Sequence, residues 1–176
     1  MIAPDDLARA LLVSTPEGRR SYSVVGDVYA ILVSSDATAG LYAVIDMHVP
    51  AGGGPDPHRH ACEETFLVLE GAIEVCFRDR SVTAEAGTAV AIPAGAPHKF
   101  KNVGSQSARL LCVVAPAGLD GFFVEGGIPI EGPHASCPTA SATEAQKRRM
   151  AEIAARYGVE LLPPNIFDCK EGPHDP

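Results

Sequence analysis

Basic residues are scarce in this chain: 14 Lys and Arg stand against 22 Asp and Glu, giving a formal net charge of -8. The only run of three basic residues is Lys147, Arg148 and Arg149. A surface of that sign repels phosphate backbones, which excludes nucleic acid as an expected partner. Long apolar runs are missing too, so no segment is expected to cross a bilayer as a helix and no membrane partner is expected. The first residues carry Asp5 and Asp6 where a secretory leader would carry bases, and the expected location is cytoplasmic. Cysteines number five and show neither a C-x-x-C pair nor zinc-ribbon spacing. Even Cys62, inside a histidine-rich stretch, reads as a small reduced side chain, because thiolate ligands ordinarily come with partner cysteines. Tryptophan is absent, but 46% of the residues are hydrophobic and 20% charged, as in a folded globular domain.

At 176 residues the chain can bury a core without disulfide or metal staples. Three parts are expected. Residues 1–20 form an N-terminal extension in which Pro4, Asp5 and Asp6 precede Leu7, Ala10 and Leu11 on one stripe, predicting a short helix. Residues 21–116 alternate short apolar segments with Gly, Pro, Asp and Ser, and about nine strands with no helix between them predict an antiparallel sandwich or barrel. Residues 117–176 begin as a long surface connection containing Phe122 and Phe123. They end in a helix with a Ser141–Glu144 capping box, a stripe of Met150, Ile153, Ala154 and Tyr157, and a Gly158 stop.

Histidine is also sparse, six in all, yet His58 and His60 lie one residue apart with Glu64 shortly after. Alternate residues of a strand share a face, so both imidazoles and Glu64 converge if one strand runs through in phase; a bulge near Ala61 would exchange Glu64 for Glu63. Downstream, the turn at Pro93–Gly95 leads into a strand that opens with His98, the natural fourth ligand. Three imidazoles and a carboxylate suit a divalent transition metal: Mn, Fe, Co, Ni, Cu and Zn all accept them. His48, His134 and His174 read as ordinary histidines. Arg59 and Lys99 point away from the site by strand parity.

The two stretches read G-x5-H-x-H-x3-E-x6-G from Gly52 to Gly71 and G-x5-P-x-G-x2-H-x3-N from Gly87 to Asn102. In both they resemble the cupin superfamily, and more narrowly the small single-domain cupins similar to quercetin 2,3-dioxygenase. The resemblance implies an all-β double-stranded β-helix, the jelly-roll barrel, with His58, His60, Glu64 and His98 holding one divalent metal per chain. It implies a homodimer as well. The function then expected is a dioxygenase acting on a small aromatic or enolisable substrate with dioxygen, Glu64 doubling as ligand and catalytic base. Phe66, Val68, Phe100, Phe122 and Phe123 are expected to wall the substrate pocket. The alternatives are a non-oxidative metal-dependent isomerase, decarboxylase or lyase, for which the sequence offers no evident second acid or base, and a non-catalytic small-ligand-binding cupin.

Overall fold

The computed structural model describes residues 5–130 and 143–167. In chain order the strands are β1 (Arg20–Val24), β2 (Asp27–Val33), β3 (Ala43–Val49), β4 (His58–His60), β5 (Glu63–Glu70), β6 (Ala72–Phe77), β7 (Arg80–Glu85), β8 (Ala89–Ile92), β9 (His98–Asn102) and β10 (Ala108–Ala115). Helix α1 (Leu119–Gly126), strand β11 (Ile128–Ile130), helix α2 (Glu144–Ala154) and strand β12 (Val159–Leu161) follow. The strands form two antiparallel sheets, ordered β11-β1-β2-β3-β10-β5-β8 and β12-β4-β9-β6-β7. The expected all-β jelly roll is thus present as two sheets; among the described residues no ladder closes them into one barrel.

Period-2 patterning explains why the sheets face each other. In β5 the even positions from Glu64 to Val68 are buried while Glu63, Thr65 and Leu67 face out, and β10 alternates in the same way along its whole length. Cys112 pairs with Ile45 on one side and Phe66 on the other, so three inward side chains lie abreast at the centre of the larger sheet. All three are at most 1% exposed. Ile73 and Val75 meet them from the smaller sheet within the same core. Each fully buried side chain of this size contributes roughly 1.5–3 kcal/mol relative to exposure.

Two terminal features differ from expectation. Residues 5–14 form no helix. Leu7 and Leu11 are 89% and 90% exposed, and the Asp6 carboxylate accepts the Ala8 amide in a local turn instead. A helix this short needs an apolar face buried against the domain, and this stripe meets none. Up to Ile130 the expected surface connection is ordered structure instead: Phe122 and Phe123 lie on α1, and β11 pairs with β1, extending the larger sheet; residues 131–142 of that connection lie outside the described residues. The buried pair of rings is what holds α1 down, against Tyr29 and Tyr157.

Helix α2 forms as expected but its capping box is Thr143 with Gln146. The Thr143 hydroxyl accepts the Gln146 amide and the Gln146 side chain accepts the Thr143 amide. Ser141 lies outside the described residues, as do His134, His174, Cys137 and Cys169. Met150 and Ile153 pack α2 onto α1 at Gly126, where a Cβ would collide with Met150 and Ile153. Gly158 takes the left-handed conformation, φ 67°, that ends the segment.

Candidate metal centre and cavity

His58 and His98 are direct partners across β4 and β9, which places their rings 4.3 Å apart. His60, two residues along β4, has its ring 4.9 Å from that of His98. One nitrogen from each of the three lies within 4.8 Å of the others, so His58, His60 and His98 could hold a metal ion.

The backbone fixes which nitrogen faces inward. The Nδ1 of His58 lies 2.9 Å from the Asp56 carbonyl, that of His60 3.0 Å from the Cys62 carbonyl, and that of His98 2.9 Å from the Ala96 carbonyl. A carbonyl only accepts, so each Nδ1 is the donor and each Nε2 is left for a ligand. Cys62 Sγ lies 3.2 Å from that same outward Nδ1 of His60, on the side away from the converging nitrogens, in keeping with its structural reading.

Glu64 comes from the other sheet. The expectation of one continuous strand from His58 to Glu64 is not met: the strand breaks at Ala61 and Cys62, and the chain passes from the smaller sheet into the larger. Convergence therefore depends on two sheets facing each other, not on parity within one strand. Glu64 is 5% exposed and Glu63 faces solvent, which leaves Glu64 as the inward carboxylate. Its Oε2 lies 3.2 Å from Nε2 of both His60 and His98, and its Oε1 accepts from the Cys112 thiol at 3.3 Å.

Without a bound ion the electrostatics differ from one group to the next. Burial, then the neighbouring His98, lowers the His58 pKa to about 4, keeping its Nε2 unprotonated at neutral pH. Burial opposes charge on His60, but hydrogen bonds to Cys62 and Glu64 and the Glu64 charge outweigh it and raise its pKa to about 10. Burial likewise opposes charge on Glu64, yet the two histidines hold its carboxyl well below the usual carboxylate range. His98 Nε2 is buried without a hydrogen-bond partner, with Glu64 Oε2 3.2 Å away. A buried imidazole nitrogen left in that state fits a site built for a cation.

Beside the histidines opens a cleft of about 860 Å³, solvent at its mouth included. His58, Glu64, Phe100, Phe122 and Phe123 are among the residues that line it. Phe66 and Val68 do not line it; they lie in the core behind, Phe66 against Phe100 with ring centroids 5.1 Å apart. Arg59 points outward to Glu160 at 2.6 Å, and Lys99 lies over the Phe167 ring, as strand parity predicts.

The cleft also holds two residues that the sequence reading passed over, Asp27 and Tyr29. Asp27 is 3% exposed; Tyr29 Oη donates to its Oδ2 at 3.4 Å, and its Oδ1 has no hydrogen-bond partner. Burial raises the Asp27 pKa to about 7, the nearby Gly54 amide and Tyr29 only partly countering it. Burial also pushes the Tyr29 phenol well above its usual value, with Asp27, Glu64 and Cys112 adding to the effect. The available signal was parity: in β2 Asp27 shares a face with Tyr29 and Ile31, an acid in phase with core residues.

Residues 45–114 match the family model of the cupin domain. A curated protein named polyketide synthase CurC, from Streptomyces cyaneus, is 29% identical over 114 residues, covering 63% of this chain and 73% of that protein. Among solved structures, the polyketide cyclase RemF of Streptomyces resistomycificus aligns with TM-score 0.53 and 22% identity, over 60% of this chain and 80% of that one. A predicted oxalate decarboxylase of Thermotoga maritima aligns with TM-score 0.53 and 21% identity, over 60% and 99%. An RmlC-like cupin of Shewanella frigidimarina aligns with TM-score 0.56 and 16% identity, over 64% and 97%. At these identities the structures establish the shared fold alone.

Proposed function

We propose that this chain, cupin in fold and carrying the cupin domain at residues 45–114, is a metal-dependent enzyme acting on a small aromatic or enolisable substrate. The observation that carries the reading is the convergence of three buried or half-buried imidazoles, each anchored through Nδ1, of which His58 lines a cleft walled by Phe100, Phe122 and Phe123. His58, His60 and His98 would hold the ion, with Glu64 as fourth ligand. When bound, such an ion supplies Lewis-acid stabilisation of a deprotonated hydroxyl or enolate.

The protein's own groups do the rest. The aromatic walls bind a flat apolar body and exclude water from it. Lys147 is the only Lys or Arg among the described residues lining the cleft, which is too few for a sugar phosphate. The Cys112 thiol donates to Glu64 Oε1, which leaves Oε2 facing the Nε2 atoms of His60 and His98. Likeness to a protein named polyketide synthase supports an enolisable substrate, since ketone groups along a chain are enolisable by their chemistry.

The oxygenase form of this reading is a dioxygenase similar to quercetin 2,3-dioxygenase, in which the ion held by His58, His60, His98 and Glu64 would stabilise the substrate anion and dioxygen would be the co-substrate. A second, non-oxidative form is favoured by Asp27 and Tyr29, which supply the acid or base that such a reaction needs.

The test is turnover of flavonols and β-dicarbonyl compounds by protein reconstituted with single divalent metals, followed with an oxygen electrode. Metal-dependent turnover with stoichiometric oxygen uptake supports the dioxygenase. Turnover unaffected by anaerobiosis supports the non-oxidative form. Absence of metal-dependent turnover with every metal and substrate contradicts the proposal.

A further inference from the structure

Within the cleft, Glu64 is fully committed. Its Oε2 faces two imidazoles and its Oε1 takes the Cys112 thiol, so neither oxygen is placed to pick up a substrate proton. Asp27 is placed differently. It lines the same cleft from β2, in the same sheet as Glu64 and across from the histidine strands, is almost wholly buried, and keeps Oδ1 unpartnered while Tyr29 holds Oδ2. An unpartnered buried carboxyl oxygen costs free energy and is retained where it meets something the folded chain alone does not supply.

We infer that Asp27 is the group that takes a proton from the substrate and returns it, with Tyr29 orienting its carboxyl, and that the metal ligand Glu64 does not serve as the base. This deepens the function proposed above and rests on it. In the step, Oδ1 of the Asp27 carboxylate takes the hydrogen α to a carbonyl. The C–H bond breaks, its electron pair becomes the enolate, and the O–H bond formed on Asp27 later breaks as the proton passes to a carbon or oxygen of the product. No oxidant is consumed, so the reaction class is isomerisation, condensation or elimination at an enolisable carbon. A carboxyl whose pKa is raised to about 7 is suited to both taking and giving a proton near neutrality. The other titratable groups lining the cleft are Tyr29, Asp56, His58, Glu64 and Lys147.

The experiment compares the full-length protein with Asp27→Asn, Asp27→Glu and Tyr29→Phe. Its first readout is the exchange of the α-hydrogen of a 2-substituted β-keto ester into deuterated water, measured on protein of verified metal content. Its second, on metal-free protein, is the carbon resonance of the Asp27 carboxyl with and without that ester. Asp27→Asn should bind metal as the wild type does yet lose exchange by about 10²-fold or more, the usual range for a general base. Asp27→Glu should recover part of the exchange. Tyr29→Phe removes a hydrogen bond that favours the carboxylate, and should move the acidic limb of the exchange rate to higher pH. The Asp27 resonance should titrate near neutrality and shift when the ester is added. Exchange that survives Asp27→Asn within about twofold, or an Asp27 resonance indifferent to the ester, overturns the assignment of Asp27 and leaves the metal reading standing. Absence of exchange by metal-loaded wild type overturns the assignment together with the enolisation reading beneath it.

Discussion

His58 and His98 are cross-strand partners on β4 and β9, although they stand at the starts of separate glycine-led segments. The pairing makes the smaller sheet the frame of the candidate metal site: it carries all three imidazoles, while the larger sheet brings Glu64, Asp27 and Tyr29 to face them. Anything that disturbs the β4 and β9 backbones should therefore disturb the ligands before it disturbs the core.

Gly54 provides such a disturbance. Its φ is +126°, and an added Cβ would collide with the Phe100 carbonyl of β9. Gly54→Ala should therefore destabilise the protein by about 2 kcal/mol or more and weaken metal binding, because the segment leading to His58 must move. Chemical denaturation together with metal titration checks this; an unchanged midpoint and unchanged affinity would show that the close approach is not needed.

Asp27 should make stability depend on pH in an uncommon direction for an acid. Its ordinary pKa of 3.8 is raised to about 7 on folding, so the folded chain holds the proton more tightly than the unfolded chain. Stability from this group is full below about 4, falls as pH rises through the interval, and is lost above about 7. Asp27→Asn should raise the melting temperature at pH 8 by at least about 2–4 °C, as about 1 kcal/mol gives for a chain of this size, and by nothing at pH 4. Thermal melts of both proteins across that range provide the measurement.

Metal affinity should rise with pH. His60 is protonated at neutral pH in the metal-free protein, since Glu64 and Cys62 lift its pKa to about 10, and the proton must leave before Nε2 can ligate. Below that value affinity should gain about tenfold per pH unit, with about one proton released per ion bound. Calorimetry in buffers of different ionisation enthalpy counts the proton. Affinity flat from pH 6 to 9 would mean that His60 does not ligate.

Much of this was legible in the sequence, and the parts that were not share a cause. The strands of residues 21–116 were readable because alternation needs only local periodicity, and Met150, Ile153 and Gly158 marked α2 for the same reason. The proximity of His58, His60, Glu64 and His98 was readable from residue type and spacing, although the break at Ala61 and Cys62 means that two sheets, not one strand, bring them together. Asp27 and Tyr29 were missed because their meaning is tertiary: they matter only once β2 faces β4, and no local pattern states that. Leu7 and Leu11 made the opposite error, a helical stripe with no surface to bury it. Phe122 and Phe123 looked like loop residues for want of a long apolar period, and α1 is held instead by Tyr29 and Tyr157.

The most direct test is the metal content of protein purified without chelators or nickel resin, measured by elemental analysis beside His60→Ala and His98→Ala. The expectation is about one divalent ion per wild-type chain and its loss from both variants, each keeping a β-rich circular dichroism spectrum. Full retention of the ion in both variants, or a wild type that takes up no divalent metal even when it is supplied, would contradict it.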